Sequence, residues 1–289
     1  MSAGLDARHV RHAFGRAAAS YEAHAVLQAE VGTRLLERLD GIELAPERVL
    51  DVGSGPGRGS QALGARFPSA TVVALDLALP MLQAASSHAP PKFARVGGDA
   101  QALPFSDASF DVLHSNLCLQ WCDDPGLAIA EFARVLKPGG LLLFTTFGPA
   151  TLYELRTAFA AADATPHVGR FVDMHDIGDA LLTTGFRDPV LERDDFTLTY
   201  ADALTLMREL RAIGATNADA KRLRTLTGKA HLQRVVAAYE PFRHEGKLPA
   251  TYEVVYAQAF APAPGQPRRA RGGGEIASFP IERLRGQRR

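Results

Sequence analysis

Short apolar segments alternate with longer amphipathic segments between residues 48 and 147 of this 289-residue chain. The apolar segments have the length and composition of strands that are buried in a parallel sheet. Strands are predicted at Arg48–Val52, Thr71–Leu75, Phe93–Val96, Phe110–His114 and Gly140–Phe147, with helices at Ser60–Phe67, Pro80–Ser87 and Pro125–Leu136 between them. This alternation predicts an α/β fold with a parallel sheet covered by helices on both faces.

After residue 147 the pattern changes to longer helical segments with two strands among them. The predicted helices are Leu152–Ala162, His175–Thr184, Ala201–Ile213 and Lys229–Tyr239, and the predicted strands are Val190–Tyr200 and Thr251–Phe260. Residues 201–249 are expected to form a helical cap over the carboxyl ends of the parallel strands, where such sheets bind ligands. We divide the chain into N-terminal lid helices at 1–40, a domain at 41–261 that contains this cap, and a tail at 262–289.

Charge is segregated along the chain although the formal net charge is zero. The tail at 262–289 carries seven arginines against Glu275 and Glu282, a net charge of +5, so residues 1–261 carry −5. Because the tail is rich in Pro, Gly and Arg, it lacks the apolar surface that a packed segment needs, and we predict a disordered basic tail. No aromatic-interleaved basic motif accompanies it, so we expect no nucleic-acid partner.

The two cysteines and the lengths of the apolar runs bear on the compartment. Cys118 and Cys122 are too few for a disulfide scaffold and do not form a Cys-x-x-Cys motif, which favours a reducing cytoplasm. No apolar run approaches the ~20 residues that a membrane-spanning helix needs. We therefore expect a cytoplasmic protein with no membrane partner, acting as a monomer.

The sequence VLDVGSGPGRG places glycines at alternate positions of Gly53–Gly59, directly after the first predicted strand. Nicotinamide and flavin enzymes need a third glycine at the position that Arg58 occupies, and a phosphate-binding loop needs Gly-Lys followed by Ser or Thr. Here Gly228-Lys229 is followed by Ala and Gly246-Lys247 by Leu. The pattern Asp-x-Gly-x-Gly-x-Gly that remains resembles the first motif of class I S-adenosylmethionine-dependent methyltransferases.

Two further acids follow predicted strands. Asp76 lies about twenty residues after the glycines, where a carboxylate can accept both ribose hydroxyls of a nucleoside. Nicotinamide enzymes share that feature, but none of the six tyrosines is followed four residues later by the lysine that short-chain dehydrogenases need. The segment Gly98-Asp99-Ala100 resembles the methyltransferase position that contacts adenine. The resemblance implies S-adenosylmethionine as cofactor, bound by Asp51, Gly53, Ser54, Gly55, Gly57, Asp76, Leu77, Asp99, Ala100 and Asn116.

Four further motifs narrow the resemblance to one family. They are Phe14-Gly15-Arg16-Ala17-Ala18 with Tyr21, His24 and Gln28; Asn116-Leu117 with Gln120-Trp121-Cys122; Pro166-His167 with Arg170-Phe171; and Ile213-Gly214-Ala215-Thr216. Over residues 12–260 the chain resembles the malonyl-acyl-carrier-protein O-methyltransferases of biotin synthesis. Relatives often carry Cys where this chain has Ser54, a small residue either way. The resemblance implies a Rossmann-like methyltransferase sheet whose last strand is antiparallel, a lid and a cap.

The implied reaction is methyl transfer to the free carboxyl of malonyl-acyl-carrier protein or malonyl-CoA. That carboxyl has a reference pKa near ~4 and is ionised at neutral pH, so the site needs no base. The resemblance places Tyr21, Gln120 and Trp121 at the reacting groups. Arg170, Arg208 and Arg211 are the candidates for binding the malonyl carboxylate, because burying that anion unpaired is costly. His24, His114 and His167 are isolated in sequence and are interpreted as structural or surface histidines, and no metal site is predicted.

Other acceptors and classes remain open. The same cofactor could serve a small carboxylic acid such as aconitate, or a methyltransferase-like assembly factor that hydroxylates protein arginine. A nicotinamide oxidoreductase and a cofactor-binding module without catalysis are the alternatives from other classes. An acidic carrier protein would need a basic surface, and seven basic residues with only Glu209 and Asp219 between Met207 and Arg234 predict one on the cap. They are Arg208, Arg211, Lys221, Arg222, Arg224, Lys229 and Arg234.

Overall fold

The computed structural model describes residues 4–84, 93–222 and 228–262, together with two short strands in the tail. One seven-stranded sheet forms the centre, with the strand order β3-β2-β1-β4-β5-β7-β6. Its strands are β1 Arg48–Val52, β2 Thr71–Asp76, β3 Phe93–Gly97, β4 Phe110–Ser115, β5 Leu136–Phe147, β6 Arg187–Tyr200 and β7 Leu248–Phe260. Strands β1 to β5 are parallel, whereas β7 is antiparallel to both of its neighbours. The predicted α/β class and antiparallel last strand are confirmed.

Ten helices accompany the sheet in the described part of the chain. They are α1 Ala7–Ala17, α2 Tyr21–His24, α3 Val26–Glu37, α4 Arg58–Arg66, α5 Leu79–Ala84, α6 Pro125–Val135, α7 Tyr153–Ala160, α8 Met174–Thr184, α9 Ala203–Ala212 and α10 Lys229–Tyr239. Helix α5 was predicted to continue to Ser87, and residues 85–87 lie outside the described ranges. None of the helices in those ranges combines the length and the apolar character needed to cross a membrane.

Apolar side chains on both faces of the sheet form two core layers. Val49 and its register partner Val112 lie in one layer, while the next residues, Leu50 and Leu113, lie in the other. This alternation follows from the two-residue period of a strand, and it explains why the parallel strands are apolar throughout. Helix α3 packs on the first layer through apolar residues such as Val31. The lid helices are thereby attached to the main core.

The antiparallel strands are longer than the sequence predicted. Strand β6 begins at Arg187 rather than Val190, and β7 begins at Leu248 rather than Thr251, because the two pair from Arg187–Phe260 to Tyr200–Leu248. Strand β6 lies at the edge of the sheet and exposes many of its side chains, so it contains polar residues. These polar residues hide the start of the strand in the hydrophobic pattern of the sequence. Strand β5 begins early because Leu136 already pairs with Phe110 before a register shift.

The tail contributes only two short strands to the described structure. Strands β8 Arg268–Arg269 and β9 Glu275–Ile276 pair antiparallel as a separate two-stranded sheet. Apart from residue 262, the rest of the segment predicted to be a disordered tail lies outside the described residues.

Candidate active site

The glycine-rich loop joins the carboxyl end of β1 to the start of α4. The amides of Gly53 and Ser54 both donate to the carbonyl of Leu75, at 2.8 and 3.0 Å, which fixes the loop against the end of β2. Gly53, Gly55 and Gly57 have positive φ angles of 69°, 54° and 89°. A Cβ at Gly53 would lie 2.5 Å from Cys118 Sγ, so both the backbone angle and the space require glycine there. Gly57 caps α4 behind the loop.

Asp76 ends β2 beside this loop. Its carboxylate accepts from the amides of Gly55 at 2.9 Å and Ala78 at 2.8 Å. Burial raises the pKa of Asp76 to about 6, with a further upward contribution from Asp51, against the lowering by the two backbone hydrogen bonds. A carboxylate oxygen has two lone pairs, so acceptor capacity remains for a ligand.

We call the space beside Asp76 the strand-end cavity. It is lined by seven of the predicted cofactor-binding residues and by Cys118 and Cys122, the seven being Gly53, Gly55, Asp76, Leu77, Asp99, Ala100 and Asn116. The Asp99 carboxylate accepts from the amide of Gln101 at 2.9 Å, which orients it at the start of its loop. The structure therefore brings the acids that follow β2 and β3 to one cavity.

Asp51 and His114 form a buried pair at the ends of β1 and β4. Each is 2% exposed, and His114 Nδ1 lies 2.8 Å from Asp51 Oδ1, while Ser60 Oγ donates to the other carboxylate oxygen at 2.5 Å. Because a carboxylate only accepts, Nδ1 carries a proton. Among the described residues, His114 Nε2 has no hydrogen-bond partner.

His114 was interpreted as a structural or surface histidine, and the structure shows it buried and paired with Asp51, a partner that was not predicted. Asp51 and His114 are register partners on adjacent parallel strands, so the signal was the strand alignment rather than the local sequence. Both line the glycine-loop cavity, which lies between Ser54 in the glycine loop and Gln28 in α3.

Asn116 fastens the lid to the sheet. Its Nδ2 donates to the carbonyl of Gln28 in α3 at 2.9 Å, and its Oδ1 accepts from Thr145 Oγ1 at 2.7 Å. A Cβ at Gly32 would lie 2.9 Å from Asn116 Nδ2, so the helix can approach this closely only because it has glycine there. Asn116 was predicted to bind cofactor; it lines both the strand-end and glycine-loop cavities, but its amide is already engaged in this structural contact.

Tyr21 lies where the cavities meet. It lines the glycine-loop cavity, the strand-end cavity and a third space, the cap cavity. Burial, with smaller contributions from Asp76 and Cys118, raises the pKa of the Tyr21 hydroxyl well above its usual value, so the phenol stays neutral. Phe14 lies beside it and meets Trp121 edge-on at 5.1 Å between ring centroids. Phe14, Tyr21 and Trp121 all line the strand-end and cap cavities.

The cap cavity encloses about 970 Å³ of empty volume, part of it open to solvent. Its lining is largely apolar, with polar side chains from Gln120, His167, Arg170, Thr216, Asn217 and Asp219 among those that border it. Gln120 Nε2 donates to the carbonyl of Leu117 at 2.8 Å, which fixes the amide against the cavity wall. Trp121 borders both this cavity and the strand-end cavity. The predicted catalytic residues Tyr21, Gln120 and Trp121 are thus brought together.

The three predicted substrate arginines are separated by the fold. Arg170 lines the cap cavity. Arg208 and Arg211 do not border that cavity, and both are exposed on α9, where Arg208 Nη1 contacts Thr205 Oγ1 at 3.4 Å. The structure therefore brings only Arg170 of these three to the space beside Tyr21.

The lid is fastened to the cap segment by polar contacts. The amide of Asp6 donates to the carbonyl of Ala218 at 2.8 Å, and Ser20 Oγ donates to the carbonyl of Ala212 at 2.8 Å. Arg222 donates through Nη2 to Asp6 Oδ2 at 3.0 Å and through Nη1 to the carbonyl of Asp219 at 3.0 Å. Its side chain is 13% exposed. Arg222 was predicted to belong to a basic docking surface, but the structure engages it in joining lid to cap.

The Ile213–Thr216 motif lies at the same contact between the lid and the cap. Gly214 has a φ of 81°, and a Cβ there would lie 3.0 Å from the Cα of Phe14 in α1. His9 Nε2 lies 3.1 Å from Thr216 Oγ1. The motif therefore allows the lid helix to approach the cap. Arg224, the other predicted docking residue beside Arg222, lies outside the described residues.

A cluster of Asp163, His167 and His231 lies beside the cap cavity. His167 Nε2 is 3.0 Å from both oxygens of Asp163, and His231 Nε2 is 3.4 Å from Asp163 Oδ2. A hydrogen bond from the Thr165 amide and the contact with His167 lower the pKa of Asp163. His167 was interpreted as a structural or surface histidine that is isolated in sequence, and its partners in this cluster were not predicted. Residue 231 is 68 positions from residue 163, so no local pattern could have indicated it.

Comparisons with known proteins agree with this architecture. A family model described as a methyltransferase domain matches residues 50–144. A malonyl-acyl-carrier-protein O-methyltransferase of Xylella fastidiosa (strain M23) is 52% identical over 100% of this chain and 99% of its own length. One of the same name from Methylovorus sp. (strain MP688) is 50% identical over 89% of this chain and 90% of its own. A crystal structure from Bacillus halodurans C-125 matches with a TM-score of 0.59 at 20% identity, over 80% of this chain and 99% of that one, which shows the shared fold.

Proposed function

The chain belongs to the malonyl-acyl-carrier-protein O-methyltransferase family, and from that premise we propose that it methylates the free carboxyl of a malonyl thioester with S-adenosylmethionine. The acceptor is malonyl-acyl-carrier protein, or malonyl-CoA, and the product is the malonyl methyl ester that begins pimeloyl and biotin synthesis. The observation that carries this proposal is the position of Tyr21, which borders the two cavities at the glycine loop and the cap cavity alike. A donor on one side of Tyr21 and an acceptor on the other can meet there.

The residues at the glycine loop fit S-adenosylmethionine. The half-buried Asp76 carboxylate retains acceptor capacity for two ribose hydroxyls, and Asp99 lies in the same cavity for the adenine amino group. His114 Nε2, buried and unpartnered in the described structure, and the backbone of the glycine loop offer polar groups to the amino-acid part. When bound, the cofactor supplies a methyl group on a sulfonium, which makes that carbon electrophilic. The aromatic face of Tyr21 is a favourable neighbour for such a cation.

The acceptor side needs placement rather than proton removal. The malonyl carboxyl is ionised at neutral pH, so the protein has only to orient one oxygen and exclude water. Phe14, Tyr21 and Trp121 form an aromatic wall at the junction, and the fixed amide of Gln120 lies beside it. Of the three predicted arginines, Arg170 is the one that lines the cavity. Its planar guanidinium suits a carboxylate.

The test is methyl transfer from labelled S-adenosylmethionine to malonyl-acyl-carrier protein, malonyl-CoA and free malonate, assayed side by side. We expect both thioesters to be methylated and free malonate to be a poor acceptor, since it fills little of the cap cavity. Arg170→Gln should lower kcat/KM for malonyl-CoA about tenfold, because the anion loses a charged partner. Arg211→Gln, on the exposed face of α9, is the matched control and should stay within about twofold.

Two results would contradict the proposal. Equal rates of methyl transfer to free malonate and to the thioesters would indicate that the acceptors are small carboxylic acids. Equal losses of kcat/KM in Arg170→Gln and Arg211→Gln would show that the carboxylate is not bound through Arg170 in the cap cavity.

A further inference from the structure

We propose that His167 binds the carboxylate of the acceptor, held in its protonated form and in orientation by Asp163, and that it makes the site prefer the charged acid over its neutral methyl ester. This inference rests on the proposed function and adds to it a residue that the sequence motifs alone left without a role. His167 touches the substrate in this scheme, whereas Asp163 acts through His167 as a positioning residue.

The geometry of His167 fixes which of its nitrogens is available. Nε2 lies 3.0 Å from both oxygens of Asp163, and a carboxylate can only accept, so Nε2 carries a proton. Phe159 stacks on the imidazole with 4.2 Å between ring centroids and 15° between planes, which prevents the ring from turning away. His167 also lines the cap cavity. Nδ1 is therefore the nitrogen left for a ligand, and it can donate to an anion when the ring is protonated.

A second imidazole lies beside the pair of His167 and Asp163. His231, on α10, reaches the same Asp163 oxygen at 3.4 Å, with 5.7 Å between the two ring centroids. Arg234 Nη2 lies 3.4 Å from His231 Nδ1, and since arginine only donates, Nδ1 accepts and the proton of a neutral His231 lies on Nε2. Asp163 therefore contacts His167 more closely than it contacts His231. A carboxylate at this distance from an imidazole favours the charged form of the ring.

The other charged and titratable groups around the cap cavity do not cancel the effect of the Asp163 carboxylate on His167. Arg170 and Asp219 both line the cavity and have opposite signs. Tyr21 and Tyr252 also line it, and burial raises the pKa of each hydroxyl above its usual value, so both stay neutral. The rest of the lining is largely apolar, so a desolvated carboxylate gains from a cation on the wall. After methyl transfer the ester has no charge, and the contact with His167 no longer holds it.

A divalent cation is the competing use of the same side chains. One ligand atom from each of Asp163, His167 and His231 lies within 4.8 Å of the others. The contact between Arg234 and His231 disfavours a metal, because it places a cation beside the cluster and the proton of a neutral His231 on the nitrogen that would bind the metal. The test includes both uses.

The experiment measures binding of malonyl-CoA and of its methyl ester by calorimetry, with S-adenosylhomocysteine present so that no transfer occurs. We expect His167→Gln to weaken malonyl-CoA binding about tenfold and to change ester binding less than about twofold, because only the acid carries the charge. His175→Gln is the matched control, since His175 pairs with Asp173 at 2.8 Å on an exposed surface away from the cavity. It should change neither affinity.

A second readout follows the His167 ring proton by NMR as the pH is varied. Malonyl-CoA should raise the titration midpoint of His167 and its methyl ester should not, while Asp163→Asn should lower the midpoint in the free protein. The inference would be overturned if His167→Gln weakened the binding of both ligands equally, or if Asp163→Asn left the titration midpoint of His167 unchanged. Either result would leave His167 with a structural role. Stoichiometric Zn²⁺ binding that is lost in His231→Gln, with EDTA changing the affinity for malonyl-CoA, would also overturn it in favour of a metal site. If the wild-type protein binds neither thioester, the proposed function fails as well, whereas wild-type binding without an effect of His167→Gln refutes the inference alone.

Discussion

The cofactor side and the acceptor side of the site are built in different ways. At the glycine loop, backbone groups at the ends of adjacent strands form the cavity, and the Gly55 amide meets Asp76 only 21 residues away. At the cap cavity, side chains converge from distant segments, and Arg222 reaches Asp6 across 216 residues. The first region depends on a few local conformations. The second depends on several elements keeping their places together, so we expect it to respond to substitution more gradually.

The largest effect is expected from Gly53→Ala on the cofactor side. The new Cβ would meet Cys118 Sγ at 2.5 Å in a backbone conformation with φ of 69°. We expect a loss of about 3 kcal/mol or more in stability and no measurable S-adenosylmethionine binding, because neither loop nor strand end can move easily. Thermal unfolding and calorimetry measure the two effects.

Gly139→Ala is the matched control for Gly53→Ala. Its φ of 75° imposes a similar backbone strain, but a Cβ there has nothing within 4 Å. It should cost about 1 kcal/mol and leave binding intact. Equal stability losses in the two variants would show that the contact with Cys118 is not a firm constraint.

The next effect is expected from Asp76→Ala. Two ribose hydroxyls would lose a charged acceptor, so we expect affinity for S-adenosylmethionine to fall by about 2 kcal/mol, or roughly 30-fold. Asp173→Ala is the control, because Asp173 also accepts a backbone amide, from His175, but borders none of the three cavities at the site. Calorimetric affinity within twofold of wild type for Asp76→Ala would remove Asp76 from the cofactor site.

The sequence predicted the cofactor side well because its signals are local. The glycines, Asp76 and Asp99 each follow a strand whose apolar composition is visible, and strands that pair in register bring their ends to one edge. The pairing of Asp51 with His114 was missed, although it follows from the strand order, because the order had not been used to align residues across strands.

The acceptor side was predicted less completely because charge counts and residue spacing do not show tertiary pairing. Arg222 was counted with the exposed basic residues, but it contacts Asp6 and the chain at Asp219. Arg208 and Arg211 were placed at the substrate, but helix α9 turns both toward solvent. The Asp163 contact with His231 depends on how α10 packs on α7, which no single segment encodes.

A smaller effect on the cofactor side is expected from pH. Burial raises the pKa of Asp76 to about 6, and ribose hydroxyls donate better to the ionised carboxylate than to the protonated one. Binding therefore favours the ionised form, so affinity should be constant above pH 6 and fall as the pH drops below it, at most about tenfold per pH unit. Asp76→Asn, which cannot ionise, should bind weakly with a flat profile from pH 5 to 7. A flat profile in the wild type would show that Asp76 keeps its charge throughout that range.

The smallest effect concerns the outer surface of the acceptor side. An acidic carrier protein would be steered by exposed cations on the cap, and Arg208 and Arg211 are exposed whereas Arg222 is engaged with the lid. Arg208→Glu combined with Arg211→Glu should raise KM for malonyl-acyl-carrier protein about three- to fivefold at low salt, with the difference shrinking as salt is added, because screening weakens exposed charges. KM for malonyl-CoA, which presents no such protein surface, should change less than about twofold. Arg48→Glu is a control for charge reversal away from the site, although it reverses one charge instead of two. Arg48 is exposed at the amino end of β1, opposite the carboxyl ends of the strands that form the site. Equal increases in KM for both substrates would indicate damage to the cap, and no increase for either would place carrier docking elsewhere, with the exposed Arg8 and Arg11 of the lid next to be tested.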